Sequence, residues 1–81
     1  MQRTSAKTDD ERHLLALGKA IRARRKELGL SQEGLALRSG IDRSHMGRIE
    51  RGERNLTVLN LIRLCSALSY KPSALMATAD L

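Results

Sequence analysis

The chain has 81 residues, which is room for one domain of ordinary size but not for a second. Fifteen Lys and Arg residues against nine Asp and Glu residues give a net charge of +6, which favours a polyanionic partner such as a nucleic acid. The single aromatic residue, Tyr70, argues against a single-stranded partner, because that mode of binding stacks bases on aromatic rings.

Several other classes of protein are disfavoured by what the sequence lacks. No apolar run approaches the roughly 20 residues of a membrane span, and the N-terminal residues lead into no signal-peptide core. One cysteine, Cys65, cannot form an internal disulfide, so we expect a cytoplasmic protein in which this residue is small, apolar and buried. His13 and His45 are far apart and have no nearby cysteine, so we expect no metal site. Without a glycine-rich phosphate loop or a nucleophile beside a base, we expect neither an enzyme nor a cofactor.

The N-terminal part of the chain predicts an arm and a long helix. Residues 1–8 are polar and mildly basic, and we expect a flexible arm there, followed by a single domain over residues 9–79. The first helix is predicted to begin at Thr8, because Thr8 and Glu11 have the spacing of a capping box. Gly29 is expected to end this helix. Its apolar stripe consists of Leu14, Leu17, Ile21 and Leu28.

Two short helices separated by a glycine follow. Ser31 is the expected N-cap of a second helix over residues 32–39, and Gly40 is expected to close it. Asp42 then caps a third helix that is predicted to end near Gly52. The inner face of the third helix consists of Met46 and Ile49, and its outward face of Ser44, Gly47, Arg48 and Arg51.

Two further helices complete the predicted fold. Thr57 is expected to cap a fourth helix that runs to about Leu68. Pro72 has the fixed φ that suits the first turn of a fifth helix, which ends near Thr78. With five helices, short links and no strand pattern, the sequence predicts an all-α bundle.

The second and third predicted helices carry the functional signal. Two helices joined by a tight glycine-containing turn allow one to lie in the major groove of DNA while the other contacts phosphates. Gln32 begins the second helix, where its amide can donate to a phosphate. Arg43 and Arg48 can each recognise guanine through a pair of hydrogen bonds. The predicted phosphate-binding residues are Gln32, Arg51, Arg54 and Asn55.

From residue 21 to about residue 72, the sequence resembles the phage-repressor-like helix-turn-helix family, also called the XRE family. The matching segments include LGLSQE, DRS, IERGERN and TVLNLIRLCSAL. The small size and the stretch from DRS to GERN look most like controller proteins of restriction–modification systems. The resemblance implies a repressor-like five-helix DNA-binding domain in which the second and third helices form the helix-turn-helix.

The same resemblance implies roles for individual side chains. Gln32 would contact a phosphate, and Arg25 on the first helix would form an internal ion pair with Glu50 on the third. The base-reading residues that it implies are Arg43, Ser44, His45 and Arg48. The chain departs from the family's usual residues at four positions. Gly34 replaces Glu and Gly47 replaces Ser, while His45 replaces an aromatic residue and Leu56 replaces Pro.

The fourth predicted helix is apolar nearly all round, and such a helix has to be covered on both sides. The fifth helix covers one part, and a partner subunit is expected to cover the rest. This predicts a homodimer whose reading helices lie about 34 Å apart, one turn of DNA. A compact monomeric core is the alternative. The predicted interface consists of Leu59, Arg63, Leu64, Tyr70, Leu75 and Met76.

These observations predict a transcriptional regulator that binds a pseudo-palindromic site on double-stranded DNA as a homodimer, with no membrane partner. One alternative is an antitoxin-type autorepressor that also binds a toxin protein, which would need a toxin-binding surface. Another is a protein-interaction module on the same fold. A role in activation would require contact with RNA polymerase, for which Glu33 is a candidate.

Overall fold

The computed structural model describes the backbone of residues 3–81 and the side chains of residues 9–81. In that part of the chain it contains five α-helices and no strand, which confirms the all-α prediction. The helices are α1 (Arg3–Glu27), α2 (Gln32–Ser39), α3 (Arg43–Glu50), α4 (Val58–Ala67) and α5 (Pro72–Thr78).

The first helix begins earlier than the sequence predicts. It is 25 residues long, so Thr8 and Glu11 lie inside it, and the capping box predicted at its start is wrong. Residues 3–7 contain no glycine or proline that would end a helix, so each of them extends the hydrogen-bonded ladder. The arm predicted over residues 1–8 includes Met1 and Gln2, which lie outside the described residues, and its mobility stays a prediction.

The ends of α2 and the start of α3 are set by local residues, as predicted. Ser31 Oγ accepts a hydrogen bond from the backbone N–H of Gly34 at 2.9 Å. Gly40 ends α2 with a φ of 73°, a left-handed conformation that glycine adopts without strain. Asp42 then accepts the backbone N–H of Ser44 at 3.1 Å and begins α3. The result is a tight turn that holds α2 and α3 in a fixed relation.

The two C-terminal helices also begin where the sequence predicts. The Thr57 hydroxyl accepts a backbone N–H of α4, and Pro72 is the first residue of α5. Arg24 on α1 holds the connection between these helices by donating to the carbonyl oxygen of Leu68 at 3.1 Å and to that of Ser69 at 3.2 Å. This contact satisfies carbonyl groups that the end of α4 leaves without an intrahelical partner.

The core lies where the five helices meet. α1 packs against α3 and α5, and α2 packs against α3 and α4. Leu28 was predicted to belong to the core stripe of the first helix, but it is exposed because it lies in the turn beyond the end of α1. The fully buried side chains are Ile21, Leu35, Met46, Leu64, Cys65, Leu68 and Leu75.

α1 and α3 approach each other closely at Gly18. A Cβ atom at this position would lie 2.4 Å from the carbonyl oxygen of Glu50 and 2.8 Å from that of Ile49. No side chain fits at that distance, so the C-terminal end of α3 rests directly on the backbone of α1. This contact sets the position of α3 relative to the rest of the domain.

Candidate nucleic-acid interface

α3 has a buried apolar face and an exposed polar face. Met46 and Ile49 are buried in the core and anchor the helix. Arg43, Ser44 and Arg48 are exposed on the opposite side. The structure therefore brings three of the four predicted base-reading residues to one solvent-facing, positively charged side of a short helix.

His45, the fourth predicted base-reading residue, is half-buried and lies at the edge of that side. The Ser44 hydroxyl donates a hydrogen bond to the Asp42 carboxylate, which also accepts the backbone N–H of His45 at 3.4 Å. These hydrogen bonds, led by the one from the Ser44 hydroxyl, hold the pKa of Asp42 below its usual range. A negative charge thus stays at the positive end of the α3 dipole.

Gly47 was predicted to lie on the outward face of α3, and this is wrong because it is buried. A Cβ atom at position 47 would lie 3.2 Å from Arg51 Nη1 and 3.4 Å from Gln32 Oε1. The ends of these two side chains close over the glycine, one from the first turn of α2 and one from the C-cap of α3. The sequence pattern places Gly47 on an outward row but does not show that α2 covers it.

A single buried carboxylate joins the first three helices. Arg25 donates from Nε to Glu50 Oε2 at 2.7 Å and from Nη2 to Glu50 Oε1 at 3.0 Å. The third nitrogen of its guanidinium, Nη1, donates to the carbonyl oxygen of Leu30 at 2.9 Å. Gln32 Nε2 completes the network by donating to Glu50 Oε1 at 3.1 Å. The structure thus brings Arg25 and Glu50 together, and it adds Gln32, which sequence reasoning assigned only to phosphate.

The other predicted phosphate-binding residues lie at and beyond the end of α3. Arg51, Arg54 and Asn55 are exposed, whereas Gln32 is half-buried. Arg51 donates from Nε to Glu53 Oε2 at 3.0 Å and from Nη2 to Glu53 Oε1 at 3.2 Å. This ion pair raises the pKa of Arg51 and lowers that of Glu53. Gln32 and Arg51 meet across Gly47, while Arg54 and Asn55 lie on the loop that follows.

Three exposed apolar side chains form a second surface, which we call the α4 patch. It consists of Val58, Leu59 and Ile62, with exposed fractions of 71%, 66% and 48%. Only Leu59 was in the predicted interface. Val58 and Ile62 are four residues apart and therefore share a helix face, which is the signal that could have identified both.

Two residues of the predicted dimer interface cannot contact a partner. Leu64 and Leu75 are fully buried within the subunit, because they lie on the sides of α4 and α5 that face the shared core. This part of the interface prediction is wrong.

The remaining members of the predicted interface differ in exposure. Arg63 is exposed, and Tyr70 and Met76 are half-buried against the core. The Arg24 guanidinium lies 4.7 Å from the centre of the Tyr70 ring, and the Tyr70 hydroxyl shares a hydrogen bond with Thr78 Oγ1 at 3.0 Å. Tyr70, in the connection between α4 and α5, therefore contacts both α1 and α5 within one subunit.

None of the helices between residues 3 and 81 combines the length and apolar character that a bilayer span requires. In the same part of the chain, no three His, Cys, Asp or Glu side chains come together as metal ligands. Cys65 is buried as expected, and this burial raises the pKa of its thiol.

Comparison with known proteins gives matches that centre on the same elements. The profile of the helix-turn-helix family matches residues 21–75, a segment that contains all of α2, α3 and α4. Control protein C.SmaI of Serratia marcescens is 40% identical over 65 residues, which cover 80% of this chain and 77% of that protein.

Solved structures resemble the chain over most of its length. The restriction-modification controller protein C.AhdI from Aeromonas hydrophila has a TM-score of 0.75 and 45% identity, covering 76% of this chain and 94% of that one. The clp gene regulator ClgR from C. glutamicum has a TM-score of 0.82 and 26% identity, covering 84% and 87%.

Proposed function

Since this chain belongs to the helix-turn-helix family, and within it to the restriction–modification controller proteins, we propose that it binds a pseudo-palindromic site on double-stranded DNA as a homodimer. It is a DNA-binding transcriptional regulator of the controller type.

The observation that carries the proposal is the exposed face of α3. Arg43 and Arg48 lie outward on a helix whose opposite face is anchored by Met46 and Ile49. An α-helix fits the major groove, where an arginine can donate two hydrogen bonds to guanine and discriminate against other bases by about 1–3 kcal/mol. We assign base reading to Arg43, Ser44, His45 and Arg48.

Residues around α3 would hold the phosphate backbone on both sides of the groove. Gln32 begins α2, whose N-terminal N–H groups also favour an anion. Arg51, Arg54 and Asn55 follow the base-reading segment. Such contacts supply most of the affinity and release counterions, so binding is expected to weaken steeply as salt increases.

We assign the α4 patch to contact with a second copy of the chain. Val58, Leu59 and Ile62 are adjacent apolar side chains whose exposure to water is unfavourable. A two-fold contact would bury them by pairing each patch with its copy. A contact of this kind is expected to place the two copies of α3 about 34 Å apart, which matches half-sites separated by one turn of DNA.

The proposed role also places the protein in the cytoplasm, with the DNA that it regulates. If it activates transcription, it would do so by contacting RNA polymerase. Glu33 is exposed on α2 beside Leu37, which has an exposed fraction of 81%, and these residues are the candidates for that contact.

Selection of bound duplexes from random-sequence DNA, followed by gel-shift titration, tests the proposal. We expect enrichment of an inverted repeat. Arg43→Ala and Arg48→Ala should relax the base preference, whereas Arg22→Ala, which removes an exposed arginine of α1, should not. Absence of enrichment would refute sequence-specific binding. Parent-like affinity of both α3 variants for the selected site would refute the assignment of the base-reading residues.

A further inference from the structure

Gly47 lies at the bottom of a notch between α2 and α3. The atoms nearest to a Cβ at this position would be Arg51 Nη1 at 3.2 Å, Gln32 Oε1 at 3.4 Å and Gln32 Cδ at 3.9 Å. All three belong to the ends of flexible side chains, and none belongs to backbone or core. A side chain at position 47 would therefore leave the scaffold in place and displace those two ends.

One wall of the notch, the amide of Gln32, has a fixed orientation. Its Nε2 donates to Glu50 Oε1 at 3.1 Å, and Glu50 is itself held by two hydrogen bonds from Arg25. This anchoring turns the Gln32 carbonyl oxygen over Gly47. Because an amide nitrogen carries two hydrogens, Nε2 can donate to Glu50 and also to a second acceptor.

The other wall is the guanidinium of Arg51. Its Nε and Nη2 face the Glu53 carboxylate, and its Nη1 lies on the side of Gly47. The notch thus brings an anchored amide and a permanently charged guanidinium side by side at the junction of α2 and α3. Arg51 Nη1 and the second N–H of Gln32 Nε2 can each donate to a phosphate oxygen, whereas Gln32 Oε1, which faces Gly47, can only accept.

We propose that Gly47 is a positioning residue for DNA binding: the missing side chain lets the Gln32 amide and the Arg51 guanidinium converge on one backbone phosphate. This inference rests on the proposed function. It assigns to the glycine an effect on affinity that is independent of base sequence, because a phosphate carries no sequence information.

The test measures the affinity of the parent and of Gly47→Ala for the selected duplex and for a scrambled duplex. The affinity of the variant for both duplexes is expected to be about tenfold lower than the parent's. Its plot of log affinity against log salt should be less steep, by about one unit of slope. Its Tm should equal or exceed the parent's, because alanine favours a helix more than glycine does. Gly34→Ala in α2 is the matched control, with the same gain in helix propensity and no expected change in DNA affinity.

A second experiment introduces Gly47→Ala into a protein that already carries Gln32→Ala and Arg51→Ala. It distinguishes the positioning role from an effect of the substitution on DNA affinity that does not involve these two side chains. With both walls removed, Gly47→Ala should cause no further loss of affinity. An equal loss in both backgrounds, or a Tm well below the parent's, would overturn the inference. If the parent binds the selected duplex and Gly47→Ala binds it equally well, the inference fails and the proposed function stands. A parent that selects no duplex would overturn both.

Discussion

Glu50 is the residue on which the polar contacts between the first three helices depend. Its side chain is 3% exposed and accepts hydrogen bonds from Arg25 and Gln32. A carboxylate buried to this extent is tolerated only when its charge is paired and its oxygens are hydrogen-bonded. Glu53 forms a similar pair with Arg51, but more than half of each side chain is exposed to water, where an ion pair contributes little to stability. Burial therefore distinguishes the two glutamates.

Glu50→Ala is expected to lower the free energy of unfolding by about 3–5 kcal/mol, because it leaves the Arg25 charge buried without its partner. That is a large part of the roughly 4–12 kcal/mol that a domain of this size has in total. Urea unfolding followed by circular dichroism measures the change. Glu53→Ala is the matched control and should have little effect, so equal losses in the two variants would contradict the prediction.

Asp42 is expected to make the stability of the domain depend on pH. Its pKa is lower in the folded protein than in the unfolded chain, so its contribution is fully present above the unfolded pKa of about 3.9. The contribution is lost as the pH falls through the folded pKa. Asp42→Asn retains an oxygen that can cap α3 but does not titrate.

The measurement for Asp42 is the free energy of unfolding of the parent and of Asp42→Asn between about pH 7 and pH 2.5, a range that spans the carboxyl pKa. The advantage of the parent over the variant should shrink towards the acid end. A difference that is the same at every pH would contradict the role of the ionised cap.

Close backbone packing is part of the contact between α1 and α3. Gly18 lies against the carbonyl groups of Ile49 and Glu50. On the other side of the contact, Gly52 has a φ of 75° and lies so close to α1 that its Cβ would be 2.8 Å from Leu15 Cα. Gly18 on α1 and Gly52, just beyond the end of α3, thus let α3 approach α1 closely enough for Arg25 to reach Glu50.

Gly18→Ala is expected to destabilise the domain by about 1–3 kcal/mol, even though alanine favours a helix, because the added methyl group meets backbone atoms that cannot rotate away. Thermal unfolding of the parent and the variant measures the loss. Gly34→Ala adds the same methyl group to α2 beside the Ser31 hydroxyl and should not lower the Tm comparably. A Gly18→Ala protein as stable as the parent would contradict the close contact.

The α4 patch is left uncovered by the other helices of the subunit. Val58, Leu59 and Ile62 project from one side of α4. Leu64 and Cys65, on its other side, are buried in the core of the subunit. One subunit therefore leaves apolar area on the face opposite its own core. The proposed homodimer would bury this area and would also set the spacing of the two DNA-reading helices.

Leu59→Glu is expected to convert a dimer into folded monomers, because it places a charge in the proposed contact without disturbing the core. Sedimentation velocity measures the oligomeric state, and circular dichroism checks the fold. The affinity for the inverted repeat should fall towards that for a single half-site. Leu37→Glu changes a leucine on α2 that is more exposed than Leu59 and should leave the dimer intact. A parent that is monomeric at all concentrations, with or without DNA, would contradict the assignment of the patch.

Helix boundaries that depend on neighbouring residues can be predicted from the amino-acid sequence. Ser31, Asp42 and Thr57 cap helices through side-chain oxygens that reach N–H groups two or three positions away. Gly40 ends α2 through its own backbone freedom. The start of α1 escaped prediction because a good local cap at Thr8 does not prevent the helix from continuing on its N-terminal side. The DNA contacts of the residues on α3 stay a prediction.

Which side of each helix is buried depends on how the helices pack together. Gly47 lies on a polar row of α3, yet Gln32 on α2 closes over it. Leu64 belongs to a helix that is apolar nearly all round, and only the packing shows that it is buried while Ile62 is exposed. Periodicity places residues on the faces of a helix, but the burial of a face depends on elements that are distant in the chain and brought together by folding.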